Sequence, residues 1–442
     1  MQQSNSKTPW LWVPTLYFAE GVPYVLVNTI SVMMFAKMGV PNDQLSFFTT
    51  LLYFPWFLKG LWSPIVDVVR TKRWWIIAMQ ILMTALCILL VVSLPHPDAA
   101  LIDSKQTPVS IFWLTLVLFI ITAFASATHD IAADGYYMLA HDSGSQARFV
   151  GIRSTFYRIA TIFGQGVLVA VAGVVEKRTD NIPLSWQVAI GAGAVTLCLI
   201  TLYHLFTLPK VEKSEVTTAH SQLSFSKAFL TFFTKPGILL AVLFMLLYRL
   251  PEGLLVKLSF PFLVDKPEVM VRDGQIFGGG LGLSTLDVAV IYGGVGVVAL
   301  LLGGILGGLY ISRHGLKRSL WIMAALLTLP NFVYVYMSAA LPTNLWLIGT
   351  AIGLEQFGYG FGFTAYMMYM MYFADGEYKT SHYAICTAFM ALSMMLPGFV
   401  AGKIEMAVGY NAFFWIAIAC SVTTVAVTYF VRRQVKPDYG KK

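Results

Sequence analysis

Residues 119–161 read FIITAFASATHDIAADGYYMLAHDSGSQARFVGIRSTFYRIAT, and within them Asp130, Asp134, Arg153 and Arg158 lie in otherwise apolar surroundings. Asp130 and Asp134 are four residues apart, so they share one face of a helix. The stretch HDSGSQ is typical of a turn between two antiparallel helices, which puts Asp130 level with Arg158. The same turn puts Asp134 level with Arg153. The pattern therefore predicts two ion pairs between these helices.

The composition places the whole chain in a membrane. Of its 442 residues, 57% are hydrophobic and only 12% are charged, and the mean hydropathy is +0.70. A soluble protein of this length is far less apolar, so we expect a polytopic membrane protein. The net charge of +8 comes from short loops between apolar runs, which does not indicate nucleic-acid binding. The four cysteines lack metal-ligand spacing and predict neither a disulfide framework nor a metal site.

Twelve apolar runs are long enough to cross a hydrocarbon core of roughly 30 Å. Their approximate limits are 10–38, 44–66, 74–94, 110–139, 146–175, 185–208, 237–262, 284–311, 319–339, 344–373, 380–405 and 409–431. A polar segment at 208–227 divides them into six and six. We therefore expect an all-α protein with two six-helix bundles, residues 1–208 and 237–442, joined by a central cytoplasmic loop at 209–236.

The orientation follows from the basic residues, which concentrate in alternate loops. Lysine and arginine mark cytoplasmic loops, so this distribution predicts that both termini and the central loop are cytoplasmic. The first apolar run contains Glu20 and lacks a cleavage pattern, so it is interpreted as a retained first span.

Two loops repeat one pattern in the two halves of the chain. KGLWSPIVDVVRTKRWW follows the second run and GGLYISRHGLKRSLW follows the eighth, each a small-residue helix end before a basic loop. The pair resembles the loop signature of the major facilitator superfamily, whose members carry internal repeats. Ordinary positive-inside loops are the alternative explanation for each copy, and Ser312 stands in the second copy where the first has Asp67. Gating roles are predicted for Asp67, Arg70, Arg73, Arg153, Arg313 and Arg318.

Ionisable residues inside the apolar runs are functional candidates, because a charge at bilayer depth is costly. Six of them fall on the first, fourth, seventh and tenth runs, which line the central cavity in the major facilitator fold. These residues are Glu20, Asp130, Asp134, Arg249, Glu252 and Glu355.

Each acidic residue has a predicted role and an alternative. Glu355 lies near mid-bilayer without a basic residue on its own run, so it is a predicted proton carrier; a structural pair with Arg249 is the alternative. Asp130 and Asp134 are predicted to take part in proton coupling, or to form an inner gate. Glu20 and Glu252 adjoin prolines and glycines that free backbone groups, and they either contact substrate or pack a kink.

Catalytic motifs are absent from the sequence. It contains no HEXXH, no phosphate loop and no nucleophile elbow, so we expect neither an enzyme nor an ATP-driven pump. No cofactor is expected beyond a proton gradient.

Seven stretches carry a family resemblance: FAEGVP, FLKGLWSPIVD, SATHDIAADGY, TFYRIATIFGQG, LYRLPEGLL, EQFGYGFG and SHYAICTAFMAL. Over essentially its whole length the chain resembles the AmpG muropeptide permeases of the major facilitator superfamily, and the related acetyl-coenzyme A transporter family. The resemblance implies proton-driven import of N-acetylglucosaminyl-anhydro-N-acetylmuramic acid, with or without its stem peptide, across a bacterial inner membrane. It implies functional roles for Asp130, Asp134, Tyr157, Arg158 and Glu355. The motif DIAADGY is closer to that of the acyl-coenzyme A branch than to the form associated with the AmpG permeases.

The prediction is a monomeric twelve-helix secondary transporter for a small sugar or sugar-peptide ligand. Its predicted substrate contacts are Glu20, Tyr157, Arg158, Arg249, Glu252 and Gln356. A transporter of acetyl-coenzyme A or another anionic acyl cofactor is the first alternative, and it would need a strongly cationic cavity, whereas the mid-bilayer charges are mostly acidic. A non-transporting membrane receptor is the second alternative.

Overall fold

The structure, a computed structural model, describes residues 8–140, 143–210, 227, 229–267, 270–272, 275–277, 279–376 and 379–441. Some side chains within these ranges are not described, among them those of Asp67, Arg148 and the residues of the short hairpin at 270–277. The chain forms two compact units. One comprises Met1–Met34 and Leu52–Ser221, and the other comprises Phe35–Leu51 and Gln222–Lys442.

Among the described residues, ten helices precede the central segment. They are α1 Thr8–Val25, α2 Ser31–Lys37, α3 Asn42–Leu51, α4 Phe54–Val68, α5 Lys72–Ser93, α6 Ala99–Asp103, α7 Trp113–Ala140, α8 Ser143–Ile162, α9 Val169–Thr179 and α10 Ile182–Thr207. A π-helical segment, Leu26–Ile30, joins α1 to α2, and another, Phe163–Leu168, joins α8 to α9. A 3-10 turn, Val109–Phe112, leads into α7.

The chain after the central segment is also mainly helical. Its helices are α11 Ile238–Leu247, α12 Leu250–Val264, α13 Thr285–Val288, α14 Val297–His314, α15 Leu316–Thr328, α16 Phe332–Ala340, α17 Leu345–Ala374 and α18 Lys379–Gln434. A π-helical segment, Ala289–Gly296, joins α13 to α14, and a 3-10 turn, Leu329–Asn331, joins α15 to α16. A two-stranded antiparallel hairpin, β1 Met270–Arg272 and β2 Gln275–Phe277, follows α12.

Local chemistry explains where several helices begin. The side chain of Thr71 accepts the backbone N–H of Trp74 at the start of α5, and Asn181 accepts that of Leu184 at the start of α10. Each bond satisfies one of the free N–H groups at a helix N-terminus. These starts lie within three residues of the limits predicted from hydropathy.

The predicted all-α membrane fold is confirmed. Among the described residues, nine helical stretches are long and apolar enough to cross a membrane. The last of them, His382–Gln434, is 53 residues long, and Gly409 breaks it with a φ of 77° that a residue with a side chain rarely adopts. That break separates the two runs predicted at 380–405 and 409–431.

Glycines let two helices of the second unit cross closely. A Cβ atom on Gly303 of α14 would lie 2.1 Å from the backbone oxygen of Phe357, and one on Gly360 of α17 would lie 2.1 Å from that of Leu300. Neither position tolerates a side chain, so the backbones of α14 and α17 touch directly. This crossing holds α17, the helix that carries Glu355.

Candidate functional site

Three carboxylates meet inside the first unit. Glu20 of α1 lies beside Asp130 and Asp134 of α7, and their carboxylate oxygens are all within 4.8 Å of one another. Gly21 brings α1 close to α8, because a Cβ there would lie 2.6 Å from Ala160. We call these three residues the acidic cluster. Asp130 and Asp134 share one helix face as predicted, whereas the sequence did not predict their contact with Glu20.

Two cations from other helices compensate the acidic cluster. Arg153 of α8 forms the predicted ion pair with Asp134, with 2.6 Å between Nη2 and Oδ1. Lys59 of α4 pairs with Asp130, so the prediction that Asp130 pairs with Arg158 is wrong. Arg153 and Arg158 are five residues apart, which is a rotation of roughly 140° about a helix, so the two do not share one face.

Aromatic groups hold Arg153 in place. Its guanidinium carbon lies 4.5 Å from the ring centre of Tyr17 and 5.7 Å from that of Tyr137, and the Tyr17 hydroxyl donates to Oδ1 of Asp134 at 3.2 Å. Arg153 therefore has both an anionic partner and two π faces.

The charges of the acidic cluster do not cancel. In the ion pairs that the structure describes, two cations, Lys59 and Arg153, compensate the three carboxylates, which leaves one negative charge in excess if all five groups are ionised. Glu20 is 7% exposed, and its Oε2 atom has no hydrogen-bond partner. One bound proton would balance the group, since a buried charge without compensation is costly.

Tyr157, a predicted substrate contact, belongs to an aromatic group near the acidic cluster. Its ring centre lies 6.2 Å from that of Tyr24, which lies 5.1 Å from that of Trp56. All three side chains are partly exposed, and we call them the aromatic group. Arg158, the neighbour of Tyr157, is also partly exposed.

Arg249 and Glu252 form a local ion pair in the second unit. Arg249 Nε donates to Glu252 Oε2 at 3.0 Å, and its Nη2 donates to Oε1 at 2.7 Å. Arg249 precedes the first residue of α12 and Glu252 lies in the first turn, where Pro251 starts the helix. The guanidinium also lies 4.6 Å from the ring centre of Phe363. Arg249 is thus paired with Glu252 and not with Glu355. The alternative of a structural ion pair between Arg249 and Glu355 is wrong.

Glu355 has neutral partners. The amide of Gln356 donates to its Oε2 at 2.9 Å, and the Tyr334 hydroxyl lies 3.5 Å from the same atom. Gln356 also donates to the Tyr292 hydroxyl at 3.3 Å. Glu355 is 6% exposed, and none of the ion pairs among the described residues includes it. This acid can therefore change its charge without breaking an ion pair.

The predicted gating residues fall in different surroundings, and their gating role stays a prediction. Arg73 donates to the backbone oxygens of Leu205 at 2.7 Å and Leu208 at 2.9 Å, which satisfies the C-terminal carbonyls of α10. Arg70 lies 5.8 Å from the ring centre of Trp74. Arg313 and Arg318 are exposed at the α14–α15 turn, and the side chain of Asp67 lies outside the described residues.

Lys59 is the functional candidate that the sequence analysis missed. A signal was present, since it is a lysine next to the apolar residues of FLKGLWSPIVD. A second missed feature joins α5, α7 and α10: the Gln80 amide nitrogen lies 3.0 Å from His129 Nε2 and 2.9 Å from His204 Nδ1. His129 is fully buried in this contact, so it packs as a core residue.

Residues 15–396 match the family described as the Major Facilitator Superfamily. The chain belongs to the major facilitator superfamily. It is therefore a multi-pass secondary transporter and not an enzyme.

Relatives agree with the resemblance found in the sequence. The chain is 24% identical over 430 residues to an anhydromuropeptide permease of Escherichia coli, covering 95% of this chain and 79% of that protein. It is 25% identical to a putative transporter, AmpG 4, of Rickettsia felis, with 95% of each covered. An uncharacterized protein of Haemophilus influenzae is 23% identical, with 94% of this chain and 92% of that protein covered. The AmpG resemblance is confirmed at this level.

Solved structures support the same fold. A crystal structure of a D-xylose–proton symporter matches with a TM-score of 0.70 and 13% identity, over 98% of this chain and 99% of that one. One of the nucleoside transporter NupG matches with a TM-score of 0.66 and 15% identity, over 98% and 100%. At such low identity the likeness concerns the fold alone.

Proposed function

We propose that this transporter couples proton entry to the import of anhydro-muropeptides or N-acetylglucosaminyl-anhydro-N-acetylmuramic acid across a bacterial inner membrane, by alternating access. In this proposal both termini lie in the cytoplasm. The protein acts as a monomer, and the proton gradient drives transport without another cofactor. The observation that carries the coupling is the excess negative charge of the acidic cluster.

Proton binding at the acidic cluster has a direct consequence for its ion pairs. A proton on Glu20, Asp130 or Asp134 removes the excess charge, and a proton on either aspartate weakens its bond to Lys59 or Arg153. These bonds join α7 to α4 and α8. A change of protonation therefore alters the relative free energies of two conformations, which is the requirement for coupling.

Glu355 supplies a second proton position in the other unit. Its partners, Tyr334 and Gln356, carry no charge, so its protonation leaves the Arg249–Glu252 pair intact. Substrate binding next to Glu355 could then depend on its protonation alone.

The substrate class rests on the aromatic group and on the relatives. Partly exposed rings of Tyr24, Trp56 and Tyr157 suit the apolar face of a pyranose, and Glu20 lies beside them on α1. A relative named as an anhydromuropeptide permease covers 95% of the chain. Lys59, Arg153 and Arg249 are each paired with a carboxylate, which disfavours the several phosphates of acetyl-coenzyme A.

The test is uptake into proteoliposomes with and without an imposed proton gradient. We expect gradient-driven accumulation of radiolabelled N-acetylglucosaminyl-anhydro-N-acetylmuramic acid, and none of acetyl-coenzyme A. Asp130→Asn should abolish the response to the gradient, whereas Asp287→Asn, on the short helix α13, should not. Uptake of the coenzyme alone, or sugar uptake that ignores the gradient, would contradict the proposal.

A further inference from the structure

Two basic stretches of the second unit lie in contact, although 115 residues separate them at one point of contact. SRHGLKRSLW, residues 312–321, forms the turn between α14 and α15, and RRQVKPDYGK, residues 432–441, ends α18 and continues beyond it. Together they carry seven lysines and arginines and one acid, Asp438. We call residues 435–441, which follow α18, the α18 extension.

Backbone hydrogen bonds seat the α18 extension on the α14–α15 turn. The backbone N–H of Leu316 donates to the carbonyl oxygen of Tyr439 at 2.8 Å. Nearby, Nε of Arg432 donates to the carbonyl oxygen of Lys317 at 3.1 Å. The turn and the end of α18 are therefore joined by direct hydrogen bonds as well as by packing.

Two packing contacts fix the position of the α18 extension. The ring centre of Tyr439 lies 4.8 Å from that of Tyr372 on α17, in an edge-to-face arrangement. Gly315 leaves room for the extension, because its φ is 76° and a Cβ there would lie 2.9 Å from the carbonyl oxygen of Pro437. The extension is thus docked by groups that carry no charge.

Six cations collect on the surface that the turn and the α18 extension form together. Their side chains are exposed or partly exposed, and none of the ion pairs in the described part of the chain includes them. We call them the basic patch, and they are Arg313, Lys317, Arg318, Arg432, Arg433 and Lys436.

The acids near the basic patch are too few to balance it. Asp438 lies in the α18 extension, and Asp375, after α17, adds to burial in raising the pKa of the Tyr439 hydroxyl. In the repeated loop pattern, Ser312 stands where the first copy has Asp67. The second copy therefore lacks an acid that would offset its own arginines and lysine.

Aromatic residues place the basic patch at the depth of lipid headgroups. The ring centres of Trp321 on α15 and Tyr429 on α18 are 6.4 Å apart, and Tyr429 is 45% exposed. The guanidinium carbon of Arg433 lies 4.3 Å from the Tyr429 ring centre. Tryptophan and tyrosine concentrate where the hydrocarbon core meets the headgroups, so the basic patch beside them faces the headgroups.

The phosphate of an anionic phospholipid matches the chemistry of the basic patch. Four of its six cations are arginines, whose guanidinium groups donate paired hydrogen bonds to phosphate oxygens. A cluster of about four to eight lysines and arginines beside a membrane span attracts anionic lipids. A soluble acidic partner would not require the aromatic pair beneath the patch.

We propose that the basic patch binds the phosphate group of an anionic phospholipid, and that the docked α18 extension is part of this site. A headgroup held there contacts cations of the turn and of the end of α18 at once, so it joins α14, α15 and α18. The leaflet is the cytoplasmic one, which rests on the orientation under Proposed function. The binding itself depends neither on a transported substrate nor on the proton gradient.

The test is the thermal midpoint of the purified full chain in neutral detergent as dioleoyl phosphatidylglycerol is added. A ligand that binds the folded state raises the midpoint as its site fills, so we expect a saturable rise with phosphatidylglycerol and none with phosphatidylcholine. Arg313→Gln combined with Arg318→Gln should raise the half-saturating lipid fraction about thirtyfold, which follows from the contribution of each cation near an anionic surface. High salt should weaken the effect in the same direction.

Matched controls separate a built site from general positive charge. Lys177→Gln combined with Arg178→Gln removes the same charge from the exposed end of α9 and should leave the half-saturating fraction unchanged. Tyr439→Ala keeps every charge but removes the ring that packs on Tyr372, and it should weaken binding about fivefold, the contribution of one cation. Tyr439→Phe keeps the ring and should bind as the unaltered chain does.

Each contrary outcome overturns a stated part of the proposal. Equal lipid binding by the unaltered chain and the Arg313 and Arg318 variant would overturn the site, and so would equal weakening in the Lys177 and Arg178 variant. A rise of the same size with inorganic phosphate would assign the patch to a soluble anion. Unchanged binding in Tyr439→Ala would remove the α18 extension from the site, and if that variant does not fold, Lys436→Gln decides. None of these outcomes bears on transport, so the proposed function is tested separately.

Discussion

The acidic residues discussed above have different partners in the two units. In the first unit, Asp130 and Asp134 are paired with Lys59 and Arg153 from separate helices, so their charges also hold helices together. In the second unit, Arg249 pairs with Glu252 three residues away, and Glu355 is left among neutral groups. The difference teaches that an acid paired across helices contributes to the stability of the fold, whereas an acid among neutral groups can lose its charge without breaking an ion pair.

The same contrast gives a way to separate stability from coupling. Removing a charge from the acidic cluster should change both the free energy of unfolding and transport. Removing the charge of Glu355 should change transport alone. The expected effect on stability falls from Lys59 through Asp134 and Glu355 to Tyr334.

The largest effect is expected for Lys59→Ala. It leaves the Asp130 carboxylate without its cation, and we expect a loss of about 3 kcal/mol in the free energy of unfolding, the lower end for a buried pair. Lys59 is 29% exposed, which places it at that end. Chemical unfolding in detergent measures the loss. The double variant Lys59→Met with Asp130→Asn should recover most of it, and failure to recover would mean that the pair is not the cause.

A smaller effect is expected for Asp134→Asn. Arg153 keeps its contacts with the Tyr17 and Tyr137 rings, and the pair is about one-third exposed, so we expect a loss of about 1 kcal/mol. The substitution also removes the excess negative charge of the acidic cluster. Gradient-driven accumulation should therefore fall strongly while substrate exchange at equal pH persists. Unchanged accumulation would remove Asp134 from the coupling mechanism.

Glu355→Gln should separate the two properties. Its neutral partners accept an amide in place of a carboxyl group, so we expect a change of about 0.5 kcal/mol in stability. Gradient-driven accumulation should be lost, because the amide does not carry a proton. Uptake assays at several values of the imposed gradient measure this. If accumulation persists, proton coupling belongs to the first unit alone.

The smallest effect is expected for Tyr334→Phe. The hydroxyl lies 3.5 Å from Oε2 of Glu355, the limit for a hydrogen bond, so its removal should cost less than about 0.5 kcal/mol. Uptake should keep its dependence on the gradient. A loss as large as that of Glu355→Gln would show that the hydroxyl takes part in proton transfer, and the two units would then differ less than the structure suggests.

Part of the site could be predicted from the sequence because its geometry is local. The Asp134–Arg153 pair joins two helices connected by a short turn, so counting residues from the turn was enough. The same count misassigned Asp130, whose partner Lys59 lies 71 residues away. The rotation of α8 about its axis, which decides whether Arg153 or Arg158 faces α7, does not follow from counting along the chain.

The sequence by itself determined the membrane class, the apolar runs with the boundary between 405 and 409, the proline and glycine beside Glu252, and the resemblance to AmpG permeases. These follow from hydropathy and backbone preferences, which depend on neighbours in the chain. Only the tertiary structure decided that Lys59 and Glu20 join the aspartates, and that α3 packs with the second unit. Such contacts depend on how helices rotate and cross, because many small packing energies between distant residues choose among partners of equal hydropathy.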